Sequence, residues 1–210
     1  MRRALPLSAF IIALAVPVVA QAPEGLKVRI DQSTNAQDPD DRPDIKVMTM
    51  GKGFHVVGGP AGTFWDPKNT VSGNYTVRAT FNLMKPSNHT NYYGIVIGGS
   101  DLEGAKQAYT YFIVAQNGQY QIRTRNGDQV TSVQPARGGA AHTAIRTPGA
   151  NGQSANTLEV RVAGDMVSYV VNGTVVHTTP RSAVRTDGIA GVRINHLLDV
   201  HVESFTVTKT

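Results

Sequence analysis

Tyr109 and Tyr111 stand two residues apart, as do Arg123 and Arg125, and as do Arg193 and Asn195 with His196 immediately after. Side chains two apart on a strand share one face, so each pair presents its groups together. Aromatic rings offer flat apolar surface, while arginine and asparagine forks donate to oxygens in fixed geometry. Apolar patches with a few convergent polar groups are what a ligand site needs. Alternation alone leaves a second reading open, in which the tyrosines pack a core and the arginines keep an outer face wet. Trp65, the only tryptophan, precedes Asp66-Pro67 and serves either as a stacking platform or as a core plug.

Other chemistries find less support. A pair of carboxylates on one strand would suit glycosidic cleavage. The only glutamates are Glu24, Glu103, Glu159 and Glu203, and no two share a strand. Glu159 and Glu203 alternate with apolar neighbours and read as solvated positions. His55 is a further histidine near Trp65 in sequence; His196 and His201 are separated by four residues, a spacing across a turn that defines no metal site. Asp38, Asp40, Asp41 and Asp44 carry oxygen ligands of the kind calcium prefers, but without a calcium-loop spacing and with Arg42 among them. No metal site and no cofactor is expected, a divalent cation being the one addition these residues leave open. The chain has no cysteine, which excludes thiol catalysis, disulfides and iron–sulfur clusters.

The elements that must position these residues are strands. Leu26, Val28 and Ile30 alternate with Lys27 and Arg29; short strands are expected at 45–50 and 53–57; Thr63-Phe64-Trp65 is a brief strand ended by Asp66-Pro67. Residues 73–83 alternate over Tyr75, Val77, Ala79, Phe81 and Leu83. Residues 92–98, 109–115 and 119–125 are strongly β, the last two joined across Asn117-Gly118, and 129–133 forms a further strand. Residues 156–162 lead to a hairpin turning at Asn172-Gly173, followed by strands from Gly188 and Val200. Residues 134–156 have no apolar period and read as a mobile loop. No amphipathic helix is apparent, so the expected fold is all-β, an antiparallel two-sheet jelly-roll sandwich.

At the amino terminus, Arg2 and Arg3 precede an apolar run too short to span a bilayer comfortably. Residues 1–20 therefore read as a secretory signal peptide, cut after Val18-Val19-Ala20, and residues 21–210 as one domain. Loss of Arg2 and Arg3 takes the formal charge from +5 to +3, with scattered basic residues that exclude nucleic acid as a partner. No membrane span is expected after removal of the leader, which places the protein in a bacterial periplasm or outside the cell.

Five segments, in order, give the chain a resemblance to the concanavalin A-like lectin/glucanase jelly rolls. Within these it looks most like the bacterial exported 3-keto-disaccharide hydrolase-like domains. The segments are Tyr75-Thr76-Val77-Arg78-Ala79-Thr80-Phe81, Tyr93-Gly94-Ile95-Val96-Ile97-Gly98-Gly99, Tyr109-Thr110-Tyr111-Phe112-Ile113-Val114, the hairpin around Val171-Asn172-Gly173, and Gly188-Ile189-Ala190-Gly191-Val192-Arg193-Ile194-Asn195-His196 with the strand after it. The resemblance implies a concave sheet face that takes a carbohydrate or glycoside, with Trp65, Tyr93, Tyr109, Tyr111, Arg123, Arg193, Asn195 and His196 in contact. It also implies an alternative, a hydrolase or lyase acting on keto-disaccharides, in which His196 with Asp101 or Asp66 handles protons. A third expectation is a structural module whose sheet face meets another envelope protein.

Overall fold

The computed structural model describes residues 22–31 and 44–210. The expected leader, and Asp38, Asp40 and Asp41 of the acidic loop, lie outside the described residues. Two antiparallel sheets face each other, as the alternation predicts. One runs in the order β1 (Lys27–Asp31), β4 (Ala61–Val71), β14 (Gly188–Ile194), β6 (Tyr92–Ser100), β7 (Ala108–Ala115), β8 (Gln119–Asn126). Both β9 (Gln129–Gln134) and β10 (Ala140–Ala141) pair along the free side of β8. The other sheet runs β13 (Thr174–Pro180), β12 (Met166–Val171), β11 (Ser154–Ala163), β5 (Tyr75–Lys85), β15 (Asp199–Lys209), β3 (Gly53–Val57), β2 (Lys46–Met50).

The core lies between the sheets. Tyr75, Val77, Ala79, Phe81 and Leu83 of β5 are all fully buried, as the period of two requires. They meet Phe64, Ile95, Phe112, Val114 and Ile122 from the eight-stranded sheet in one apolar cluster. Burial of each such side chain contributes roughly 1.5–3 kcal/mol, so this cluster dominates the folding free energy. Asn172 and Gly173 turn the β12–β13 hairpin at positive φ (50° and 85°), the backbone a tight right-twisted hairpin demands. Gly94 is required by close approach: a Cβ there would lie 2.2 Å from the Phe112 carbonyl oxygen of the neighbouring strand.

Three expectations are corrected. β4 does not stop at Asp66-Pro67 but continues to Val71, because its ladder to β14 breaks between the Trp65–Gly191 and Thr70–Ile189 pairs. Pro67 sits in that irregular stretch, where no ladder N–H is asked of it. Residues 134–156 are not featureless: they hold β10 and the buried Ile145, and their backbone is tied to neighbouring segments. His142 N donates to Gly118 O, and Arg146 N donates to Asn156 Oδ1 at 2.9 Å. Glu159 is buried rather than solvated, with Arg161 at 2.6 Å and Arg78 at 3.4 Å neutralising it.

Asn156 is the polar knot at this end of the sandwich. Its Nδ2 donates to Tyr93 Oη (3.1 Å) and Arg146 O (2.9 Å), while its Oδ1 accepts from Arg146 N and from Asn172 Nδ2. Removing it strands several buried groups at once, and each stranded group costs about 1–3 kcal/mol. Asn156→Ala is expected to lose roughly 3 kcal/mol of stability and about 10 °C in Tm, measured by thermal denaturation.

Candidate functional site

The outer face of the eight-stranded sheet gathers most of the singled-out side chains. Core residues Phe112 and Val114 alternate with Tyr109, Tyr111 and Ile113, which therefore point the other way. Together with Trp65 and Val96 they form a second apolar cluster, so every residue of β7 is buried, one face in each cluster. The Tyr109 and Tyr111 rings lie 5.5 Å apart, tilted by 55°.

Arg193 projects from β14 into this cluster. Its Nη1 donates to Asp31 Oδ2 (2.7 Å), Thr63 Oγ1 (3.1 Å) and Tyr109 Oη (3.2 Å), and its guanidinium carbon lies 5.8 Å from the Tyr111 ring centre. Arg125 Nη1 donates to the same Asp31 oxygen at 3.2 Å, and Arg29 Nε donates to Asp31 Oδ1 at 3.2 Å. One carboxylate thus holds three arginines. Burial alone would push the Asp31 carboxyl up, but Arg193, Arg125 and Arg29 outweigh it and hold it below the ordinary carboxylate range.

This network also fixes the curvature. β8 lies five strands from β1, roughly 24 Å away in a flat sheet at about 4.8 Å per strand. Arg125 on β8 and Asp31 on β1 nevertheless touch, which only an inward-curling sheet permits. The outer face is therefore the concave one. Its rims fold over it: Arg29 Nη1 donates to Glu103 O (3.1 Å) and Gly104 O (2.9 Å) in the β6–β7 loop, Lys27 pairs with Glu103, and Gln121 Nε2 donates to Gly138 O at 2.8 Å.

Trp65, Tyr109, Tyr111, Arg123 and Arg193 are brought together on this face, but not as an open platform. Tyr109 is 0 % exposed, Trp65 3 %, Tyr111 6 % and Arg193 9 %; Arg123, opposite Tyr111, is half-buried, and its buried Nε has no partner among the described residues. Tyr93 is not part of the face. It alternates with Tyr92, points into the core, and spends its hydroxyl on Asn156. Asn195 and His196 follow β14 in a half-buried loop, anchored by Asn195 N donating to Tyr92 O at 2.9 Å.

The residues proposed for proton transfer do not meet. His196 follows the end of β14 that pairs with Tyr93, whereas Asp101 follows the opposite end of β6, about 20 Å along the strand. Acid–base partners need contact near 3 Å. Asp101 instead organises its loop, accepting from Lys106 N at 3.0 Å. Asp66 alternates with Trp65 onto the inner side, where it lines a cavity of about 300 Å³ between the sheets with Phe54, Phe64 and Phe205. Among the described residues no three His, Asp or Glu side chains are grouped to hold a metal ion. His55 does not neighbour Trp65 on the concave face. It lies on the other sheet, 6.1 Å ring to ring from His201 and 2.9 Å from Asp199.

Sequence reasoning missed Asp31, Arg29 and Thr63 as site residues. The signal was present: the alternation that turns Val28 and Ile30 to one face turns Lys27, Arg29 and Asp31 to the other, and Thr63 shares the parity of Trp65.

No family model matches the chain, and no curated protein matches it in sequence. Solved structures do share its fold. A carbohydrate binding module, CBM66 from Bacillus subtilis, superposes with a TM-score of 0.61 at 10 % identity, over 79 % of this chain and 92 % of that one. A Bacillus subtilis protein of unknown function with a galectin-like fold gives 0.60 at 11 % identity, over 88 % and 89 %. The exoplasmic/lumenal domain of VIP36, in its Ca2+/Man3GlcNAc-bound form, gives 0.57 at 8 % identity, over 89 % and 84 %. The chain is thus an all-β, two-sheet jelly roll of the galectin and concanavalin A type.

A depressed carboxyl pKa stabilises the fold fully above the unfolded value, and that contribution disappears as pH falls through the folded value. Asp31→Asn should therefore be less stable than the native protein at pH 7, by about 3 kcal/mol as for other broken buried ion pairs. Chemical denaturation across pH tests the sign: the gap should begin to narrow below about pH 4, where the carboxyl of the unfolded chain takes up its proton, and close as the pH falls through the depressed folded value.

Proposed function

We propose that this protein is an exported module that recognises a carbohydrate or glycoside on the concave face of its eight-stranded sheet, without turning it over. The observation that carries the reading is the convergence of Trp65, Tyr109, Tyr111, Arg123 and Arg193 from four strands of that sheet onto one inward-curving face. Tyrosine rings pack against sugar C–H faces, and guanidinium forks donate to ring and hydroxyl oxygens without rearranging. A preorganised site of this kind gives millimolar to micromolar binding, roughly −4 to −8 kcal/mol.

Two further points support the reading. The solved structures of the same fold include one named as a carbohydrate binding module and one described with Man3GlcNAc bound. The basic, apolar amino-terminal run fits a leader for export, to the periplasm or beyond. Among the described residues no helix is long and apolar enough to cross a membrane. The resemblance to the 3-keto-disaccharide hydrolase-like domains suggests a keto-glycoside as one guest to test. Separation of His196 from Asp101 and Asp66 favours binding over turnover.

A glycan array, run with and without chelator, tests the assignment. Binding should survive chelation, and Tyr111→Ala should weaken it at least tenfold, about 1.4 kcal/mol, with the β spectrum retained. Binding unchanged in Tyr111→Ala would place the guest elsewhere. Turnover of a keto-disaccharide that disappears in His196→Ala would replace the binding reading by an enzymatic one.

A further inference from the structure

We infer that the guest is a saccharide bearing a carboxylate, and that Asp31 occupies the guest's carboxylate socket in the free protein; this rests on the carbohydrate reading and narrows it. The socket is built from three strands. Arg29 Nε addresses one Asp31 oxygen, while Arg125 and Arg193 address the other at 3.2 and 2.7 Å. Both carboxylate oxygens are engaged, and Arg193 is buried to nine-tenths. Guanidinium forks converging on one planar anion form the arrangement that selects a carboxylate over a hydroxyl.

Charge count points the same way. The described outer face carries Lys27, Arg29, Arg123, Arg125 and Arg193 against Asp31 and Glu103, an excess of three positive charges. A neutral sugar cannot stand in for the Asp31 carboxylate among these arginines, whereas an acidic one can. Arg123 is the arginine of this set with no carboxylate beside it among the described residues, and its buried Nε has no partner. It lies next to the socket, across from Tyr111, whose ring also borders Arg193.

Asp31 is also the one carboxylate these three arginines share among the described residues. It ends β1, which among the described residues pairs with β4 alone. A guest carboxylate entering past Arg123 inherits the arginines as Asp31 withdraws, with charge conserved in the socket. The internal carboxylate acts as a competitor, so it sets a threshold that neutral sugars gain nothing by crossing.

Titration calorimetry of the full mature chain with glucuronate-terminated oligosaccharides, their neutral glucose counterparts and sodium acetate tests this. The native protein should bind the uronate at least about tenfold more tightly than either control. Asp31→Asn keeps the side-chain shape and removes the competing charge, so uronate affinity, and its ratio to neutral-sugar affinity, should rise about tenfold. Arg123→Ala should lower uronate affinity by a similar factor, and added salt should weaken uronate binding selectively. Thermal denaturation follows the folding of each variant; should Asp31→Asn fail to fold, the Arg123→Ala and salt arms decide. Equal binding of neutral and acidic sugars would overturn the carboxylate inference and leave the carbohydrate reading standing. Acetate binding as well as uronate, or an Asp31→Asn affinity that does not rise, would overturn it too. If no saccharide binds at all, both readings fall.

Discussion

A single carboxylate shared by arginines from β1, β8 and β14 decides the shape of this sandwich's working face. Withdrawing a carboxylate from water costs several kcal/mol, and one guanidinium seldom compensates for that in full. Three of them do, which is why the Asp31 carboxyl stays ionised despite its burial. The same contacts draw the two ends of a curled sheet together. Curvature, electrostatics and burial of the aromatic cluster are therefore one arrangement seen from three sides.

The two sheets solve different problems. In β5 of the seven-stranded sheet, buried and exposed residues alternate, and one face meets the core while the other meets water. The central strands of the eight-stranded sheet are covered on both faces, so β6 and β7 read as nearly continuous apolar runs. A sheet face that is buried yet not part of the main core needs its polar members paired. Arg193 with Asp31, Thr63 and Tyr109, and Gln121 with Gly138, show how that requirement is met. Arg123 Nε is an exception to it.

Local chemistry made the fold legible. Period-two alternation in residues 75–83 and the Asn172-Gly173 turn both depend on neighbours within a few positions, and both elements formed where expected. The pairing of Tyr109 with Tyr111, and their shared face with Arg123, followed from the same parity. What parity could not supply was which face curls inward, because curvature arises from contacts between residues far apart in sequence, here Asp31 with Arg125 and Arg193. Tyr93 was misassigned for a related reason. In a run such as Tyr92-Tyr93 both neighbours are aromatic, and only strand register tells which one meets the core. The buried Ile145 within residues 134–156 was invisible because its order comes from side-chain bonds to Asn156 and Asn172 rather than from any apolar period.

Fold alone does not confer a function, since one scaffold carries many sites. What distinguishes this chain from a generic sandwich is that its concave hollow is charged and three of its arginines are already engaged by an internal carboxylate. A neutral hollow can admit a guest by shedding water, whereas a hollow closed by an ion network admits only a guest that can replace the network's anion at comparable energy. Affinity then measures a difference between two carboxylates, one tethered and one free, and the tethered one holds the advantage of effective concentration. Recognition under that constraint rewards a guest that adds contacts Asp31 cannot make, with the Tyr111 ring and Arg123, whose Nε has no partner among the described residues, being the groups positioned to provide them.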